Sequence, residues 1–158
     1  METGNDGALN NLILSCGTRN KIVQYFKREL NGRGQVIATD CSKLAPALYE
    51  ADKHYVIPRI DDKDYLDVIL NICKKNNVKA VLTLIDPELS LLAKHRKRFE
   101  EIGVVPIVSD YETVELCFDK YRMANFLTEH GFQTAKSYVT RDEFYVDLES
   151  GNISYPVF

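Results

Sequence analysis

Short apolar runs alternate with amphipathic segments along most of this chain. The clearest unit runs from Asn11 to Leu30, NLILSCGTRNKIVQYFKREL. Leu12-Ile13-Leu14 is apolar without alternation, the mark of a strand buried on both faces. Ser15-Cys16-Gly17-Thr18 breaks the run with small and polar residues. Beyond it the apolar period becomes that of a helix. Ile22, Val23, Phe26 and Leu30 fall on one side, and Lys21, Gln24, Lys27 and Arg28 on the other. A buried strand, a glycine turn and an amphipathic helix predict the first half of a βαβ unit. Its turn lies at the carboxyl end of the strand, where open α/β sheets bind ligands.

The same rhythm continues downstream. Asn31-Gly32-Arg33-Gly34 is a loop with a glycine stop for the helix. Residues 35–39 predict a second strand ending at Asp40, and residues 42–52 a loop with a helical turn around Pro46. Residues 54–57 make a third strand, closed by Pro58. Asp61 or Asp62 is placed to cap a helix whose buried stripe is Tyr65, Leu66, Ile69, Leu70 and Cys73. Residues 80–85 make a fourth strand. Asp86 then suits an N-cap and Pro87 the first helical position. That helix carries Leu89, Leu92, Ala93 and Phe99, has a basic outer face from Lys94 to Arg98 read as solvated, and stops at Gly103. Residues 104–108 make a fifth strand. Asp110 caps a short helix, and Asp119 starts another that ends at Gly131. A strand over residues 135–140, a charged loop and an extended segment over 153–158 complete the reading.

Alternating strands and helices imply a parallel sheet covered on both faces. Right-handed crossovers narrow this to a Rossmann-like, doubly wound α/β fold with a mainly parallel sheet of about five strands. After Gly131, β signals replace the βα rhythm. The expected organisation is therefore a flexible polar tail (1–10), a Rossmann-like domain (11–131), and the first strands of a second domain (132–158). Tyr155-Pro156-Val157-Phe158 reads as a strand cut in the middle, so a fragment of a longer protein is expected.

Charge and composition remove several classes. A net charge of −3 over 158 residues argues against a nucleic-acid footprint. No run approaches the roughly 18 apolar residues of a membrane span, and the N-terminus lacks the form of a signal peptide. The four cysteines, Cys16, Cys41, Cys73 and Cys117, include no Cys-x-x-Cys pair. They read as reduced, mostly buried thiols of a cytoplasmic protein. His54, His95 and His130 share no metal-ligand spacing, so no metal site is expected.

Three places have candidate chemistry. Gly17, Thr18 and Arg19 sit where a helix N-terminus can receive an anion, or they form a plain turn. A dinucleotide fingerprint would need Gly-x-Gly-x-x-Gly, which is absent. Asp40 ends the second strand, where such folds hold a ribose hydroxyl. Asp86 and Glu88 follow the fourth strand. They either orient a substrate amine or hydroxyl, or serve as a helix cap and a dipole-matched acid. No catalytic residue is assigned.

Phe118-Asp119-Lys120-Tyr121-Arg122-Met123 follows this unit and precedes Gly131-Phe132. With Asp40-Cys41-Ser42, Ala45-Pro46-Ala47 and Ile85-Asp86-Pro87-Glu88-Leu89, the chain resembles the N-terminal, pre-ATP-grasp part of an ATP-grasp ligase. The likeness is to proteins similar to the carbamoyl-phosphate synthase large subunit, and the first loop departs from that pattern. The resemblance implies a parent that uses ATP and Mg²⁺ to phosphorylate a carboxylate, whose acylphosphate an amine or related nucleophile attacks. Lys120 matches the lysine that contacts the nucleotide phosphates. It also implies that a second phosphate-binding lysine, the glycine-rich loop and the metal-binding acids come later. The fragment alone is then inactive, with no cofactor tightly bound, and a homo-oligomer is a possible assembly. Two alternatives remain: a Rossmann domain for NAD or another nucleotide, and a non-catalytic α/β interaction or regulatory domain.

Overall fold

The computed structural model describes residues 7–157. The expected tail, residues 1–10, therefore lies largely outside the described residues. Within it, the Leu9 amide already donates to the Arg33 carbonyl. The chain divides into two compact units between Val114 and Glu115, earlier than the change of pattern after Gly131.

The first unit is a five-stranded, all-parallel sheet in the order β3-β2-β1-β4-β5. Its strands are β1 (Asn10–Leu14), β2 (Val36–Asp40), β3 (Lys53–Val56), β4 (Val78–Thr83) and β5 (Val105–Pro106). The helices are α1 (Asn20–Leu30), α2 (Tyr65–Lys75), α3 (Asp86–Lys94) and α4 (Arg96–Glu100), with a 3₁₀ turn at Pro46–Glu50. The strand order reverses between β1 and β4, the switch point at which a doubly wound sheet opens a crevice.

Alternation along β1 explains the two cores. Leu12 and Leu14 point to one face, where they pack with Ile37, Tyr65, Ile69, Leu92 and Phe99. Ile13 points to the other, with Val23, Leu30, Val36, Ala38 and Leu48. A strand covered on both sides has no polar position to spare, hence the uninterrupted apolar run.

Three local expectations change. Neither Asp61 nor Asp62 caps α2. Asp64 occupies the N-cap position, while Asp62 Oδ1 accepts from the Asp64 amide and turns the loop before it. Asp86 lies inside α3 rather than at its cap, which is Ile85. The basic helix breaks at His95 into α3 and α4, and its face is not simply solvated. Arg96 donates to the carbonyls of Pro106, Val108 and Ser109, and Arg98 pairs with Asp67.

The second unit follows the middle of α5 (Tyr111–Phe118) and contains α6 (Lys120–Glu129) and α7 (Arg141–Glu149). Asp119 caps α6 by accepting from the amides of Tyr121 and Arg122, and Thr140 caps α7. The strand expected over 135–140 is absent, and the expected charged loop is α7. Residues 153–157 are turns and irregular chain rather than a strand. The described residues thus contain no strand of a second domain. Their backbone groups go instead into caps and turns, such as the Asn152 amide donating to the Asp147 carbonyl.

The cysteines divide evenly rather than being mostly buried. Cys16 and Cys73 are buried and Cys41 and Cys117 exposed. Burial pushes the Cys16 thiol up to about 11, helped by the negative charge of Asp40, and burial alone pushes Cys73 up to about 12. Native alkylation at neutral pH is therefore expected to modify Cys41 and Cys117 and spare the other two. Peptide mapping after labelling checks this, with all four modified once the chain is denatured. At Gly34 an added Cβ would lie 2.8 Å from the Leu9 nitrogen and closer still to its carbonyl. Gly34→Ala is expected to cost about 1–3 kcal/mol in urea unfolding, with the slope unchanged.

Candidate functional site

Two carboxylates knit the carboxyl edge of the sheet. Asp40 ends β2. Its Oδ2 accepts from the Gly17 amide at 2.8 Å and its Oδ1 from the Ser42 amide at 2.8 Å. The loop after β1 can turn this tightly because Ser15 and Gly17 both adopt left-handed backbone conformations, at φ +43° and +51°. The Gly17 carbonyl in turn accepts from Ala47. A carboxylate of the chain itself thus occupies the anion position that a phosphate would take in a dinucleotide-binding fold. Thr18 and Arg19 are exposed beside it, and the Arg19 guanidinium reaches back to the Ser15 carbonyl.

Glu88 is the second carboxylate and is 1% exposed. It sits in the first turn of α3 and accepts from three hydroxyls. Ser15, at the end of β1, donates to Oε1 at 2.5 Å. Tyr65 on α2 also donates to Oε1, and Thr83 on β4 donates to Oε2. Burial, together with the charge and hydrogen bond of Glu88, pushes the Tyr65 phenol far up, so it stays a donor. Asp86, two residues earlier, is exposed. Of the two acids expected to share a role, one is free at the surface and the other is enclosed by hydroxyls. Sequence reading does not single out Ser15, Tyr65 or Thr83. The available signal is two small hydroxyls in apolar surroundings, Ser15 just after one run and Thr83 interrupting another, in strands that pair as neighbours.

Lys120 lies in the second unit, on the first turn of α6, where its ammonium donates to the Cys117 carbonyl at 3.2 Å. It lines a cleft of about 930 Å³ formed within that unit, a size suited to a small organic ligand. Among the described residues, the cleft wall has three cations, Lys120, Lys136 and Arg141, and no carboxylate. Tyr121, Tyr138 and Tyr145 give it aromatic surface. Lys136 escapes sequence reading because residues 135–140 look like a strand, and Arg141 because it falls in what reads as a charged loop. The Lys136 ammonium pairs with Asp147, which also accepts from the Tyr138 hydroxyl at 2.7 Å and from Asn152 at 3.0 Å. Hydrogen bonding from Lys136, then from Asn152 and Tyr138, holds the Asp147 carboxyl well below the usual carboxylate range.

A cationic, partly aromatic cleft suits an anion joined to a flat ring system, as in a nucleotide. It does not suit Mg²⁺, which takes oxygen ligands and usually carboxylates. Among the described residues, no three His, Cys, Asp or Glu side chains gather to hold a metal. Among them, too, no helix is long and apolar enough to cross a membrane.

The fold of the first unit is that of the pre-ATP-grasp N-terminal domains of ATP-grasp enzymes. Residues 12–108 match the PylC-like N-terminal domain model, and the chain belongs to that family. An L-amino acid ligase from Bacillus licheniformis matches 96% of this chain with 36% of its own, at 21% identity and a TM-score of 0.63. An N5-carboxyaminoimidazole synthetase from Staphylococcus aureus, solved with ADP, matches 90% of this chain with 36% of its own, at 16% identity and TM-score 0.59. The biotin carboxylase domain of a single-chain bacterial carboxylase matches 92% with 35% of its own, at 19% identity and TM-score 0.59. At such identities the likeness is one of fold, and the chain spans about a third of each of these structures. A search of curated protein sequences returns no match.

Glu88→Ala strands three hydroxyls and opens a cavity. It is expected to cost about 3 kcal/mol or more in urea unfolding, whereas Asp86→Ala at the exposed start of the same helix costs under about 1 kcal/mol.

Proposed function

We propose that this chain is the N-terminal part of an ATP-dependent carboxylate–amine ligase acting through an acylphosphate. In this reading the cleft of the second unit receives the nucleotide, with Lys120 contacting its phosphates. The observation that carries the reading is the cleft wall, with three cations, aromatic rings and, among the described residues, no acid. Lys120 suits the role physically. Its ammonium is a mobile point charge, and here it is spent only on one neutral carbonyl.

The sheet's carboxyl edge then has a different part. Arg19, Thr18 and Asp86 remain exposed there and are the residues offered to a small-molecule carboxylate or amine. Asp40 and Glu88 act beneath them as braces. Mg²⁺ and its carboxylates belong, in this reading, to the rest of a longer protein. In this reading that protein is a cytoplasmic ligase similar to the carbamoyl-phosphate synthase large subunit, a likeness supported by the order of the sequence motifs. The occupied anion position after β1 favours this reading over an NAD-binding domain, because a pyrophosphate approaching Gly17 meets the Asp40 carboxylate first.

In thermal-shift titrations of the full-length protein, ATP–Mg²⁺ is expected to raise the melting temperature and NAD is not. Lys120→Ala is expected to weaken ATP binding about tenfold, the scale of one lost charge-assisted hydrogen bond. A rise with NAD alone, or unchanged ATP affinity in the variant, overturns the assignment.

A further inference from the structure

Lys136 is bound to an acid that does not need it. Asp147 is half-buried, with 16% of its side chain exposed, so leaving it without donors carries a cost. It has three side-chain donors. Lys136 and the Tyr138 hydroxyl share Oδ2, and Asn152 serves Oδ1. If Lys136 leaves, both oxygens keep a neutral partner. The backbone around Asp147 is also held independently, since its carbonyl accepts from the Asn152 amide.

The lysine itself is free to move. Its side chain is 56% exposed, and it lines the cleft with Lys120 and Arg141, whereas Asp147 does not line the cleft. The ammonium also sits 5.5 Å from the centre of the Tyr138 ring, within cation–π range, and that ring itself lines the cleft. An anion entering the cleft would meet one lysine facing only a carbonyl and a second held by a replaceable partner.

We propose that Lys136 is a further polyphosphate-binding residue of this cleft, beside Lys120 and apart from the lysine expected later in the protein, and that Asp147 is its holding partner, releasing it when a polyphosphate enters. The inference rests on reading the cleft as the nucleotide site, and it adds a competition built into that site. Asp147 keeps one of the cleft's three cations paired when it is empty, and affinity for the anion is lowered by the strength of the ion pair that must be exchanged. Removing the acid therefore tightens binding, and removing the lysine weakens it.

The test titrates the full-length protein with two probes, ATP and inorganic tripolyphosphate, at low ionic strength by NMR chemical shift, in wild type, Lys136→Gln, Asp147→Asn and the double variant. Circular dichroism verifies that each variant keeps the helix content of wild type. Asp147→Asn keeps one acceptor oxygen, for Asn152, and turns its amide nitrogen to the Tyr138 hydroxyl oxygen, while removing the charge. The expected result is roughly fivefold weaker binding of both probes to Lys136→Gln and roughly threefold tighter binding to Asp147→Asn, with the gain absent in the double variant. A gain that persists without Lys136 is a general field effect and overturns the proposal, as does an affinity in Asp147→Asn no tighter than wild type.

The two readings fail separately. ATP binding weakened by Lys120→Ala but insensitive to Asp147→Asn keeps the nucleotide site and removes the Lys136 exchange. Tripolyphosphate binding that tightens in Asp147→Asn, with ATP bound no better than tripolyphosphate, keeps the exchange and removes the nucleotide. No binding of either probe overturns both.

Discussion

Burying a carboxylate under the edge of a sheet carries a desolvation cost of several kcal/mol unless donors are supplied from fixed directions. At Glu88 three hydroxyls meet this demand, one each from the end of β1, the start of α2 and the end of β4. A carboxylate prefers donors near its plane, so their positions set the entry angle of α3 and the path of the loop after β1. Asp40 repeats the device one strand away with two backbone amides. The apolar faces hold the sheet together, but these two acids fix where its loops leave it. The exposed residues at that edge, Thr18, Arg19 and Asp86, inherit their positions from the acids beneath them.

The second unit is organised on the opposite principle. Among its described residues only Ala124 is buried, so little apolar area stabilises it from within. Its order comes from polar connections: Asp119 and Thr140 as caps, and Asp147 as a hub for Lys136, Tyr138 and Asn152. A segment held in this way gives up little packing when one connection is exchanged for a ligand. Low local stability of this kind is common where proteins bind and release.

How far the sequence can be read follows from the range of the forces involved. β1 and α1 are legible because each is set by its own apolar period, and the parallel, doubly wound sheet follows from crossover handedness. The second unit defeats the same reading because its helix α7, RDEFYVDLE, buries no residue and so has no apolar stripe to detect. The role of Glu88 is hidden for a different reason. Its partners lie 73, 23 and 5 residues away, so no local pattern announces them. Lys120 stands out only through resemblance to a family motif, and nothing in its immediate spacing marks it. Lys136 has no signal, because its meaning depends on an acid on the following helix.

One edge of the sheet has a consequence for how this chain meets others of its kind. β5 is two residues long, and its Ile107 extension donates its amide to Val81 on β4. Parallel-strand geometry then turns Pro106 and Val108 outward. Pro106 has no amide to offer, the Val108 amide is spent on the Pro106 carbonyl, and Arg96 covers the carbonyls of both. A foreign strand arriving there finds neither donors nor acceptors to copy. The sheet is thus closed to templated growth on this side, and a guanidinium from a neighbouring helix serves as its selvedge.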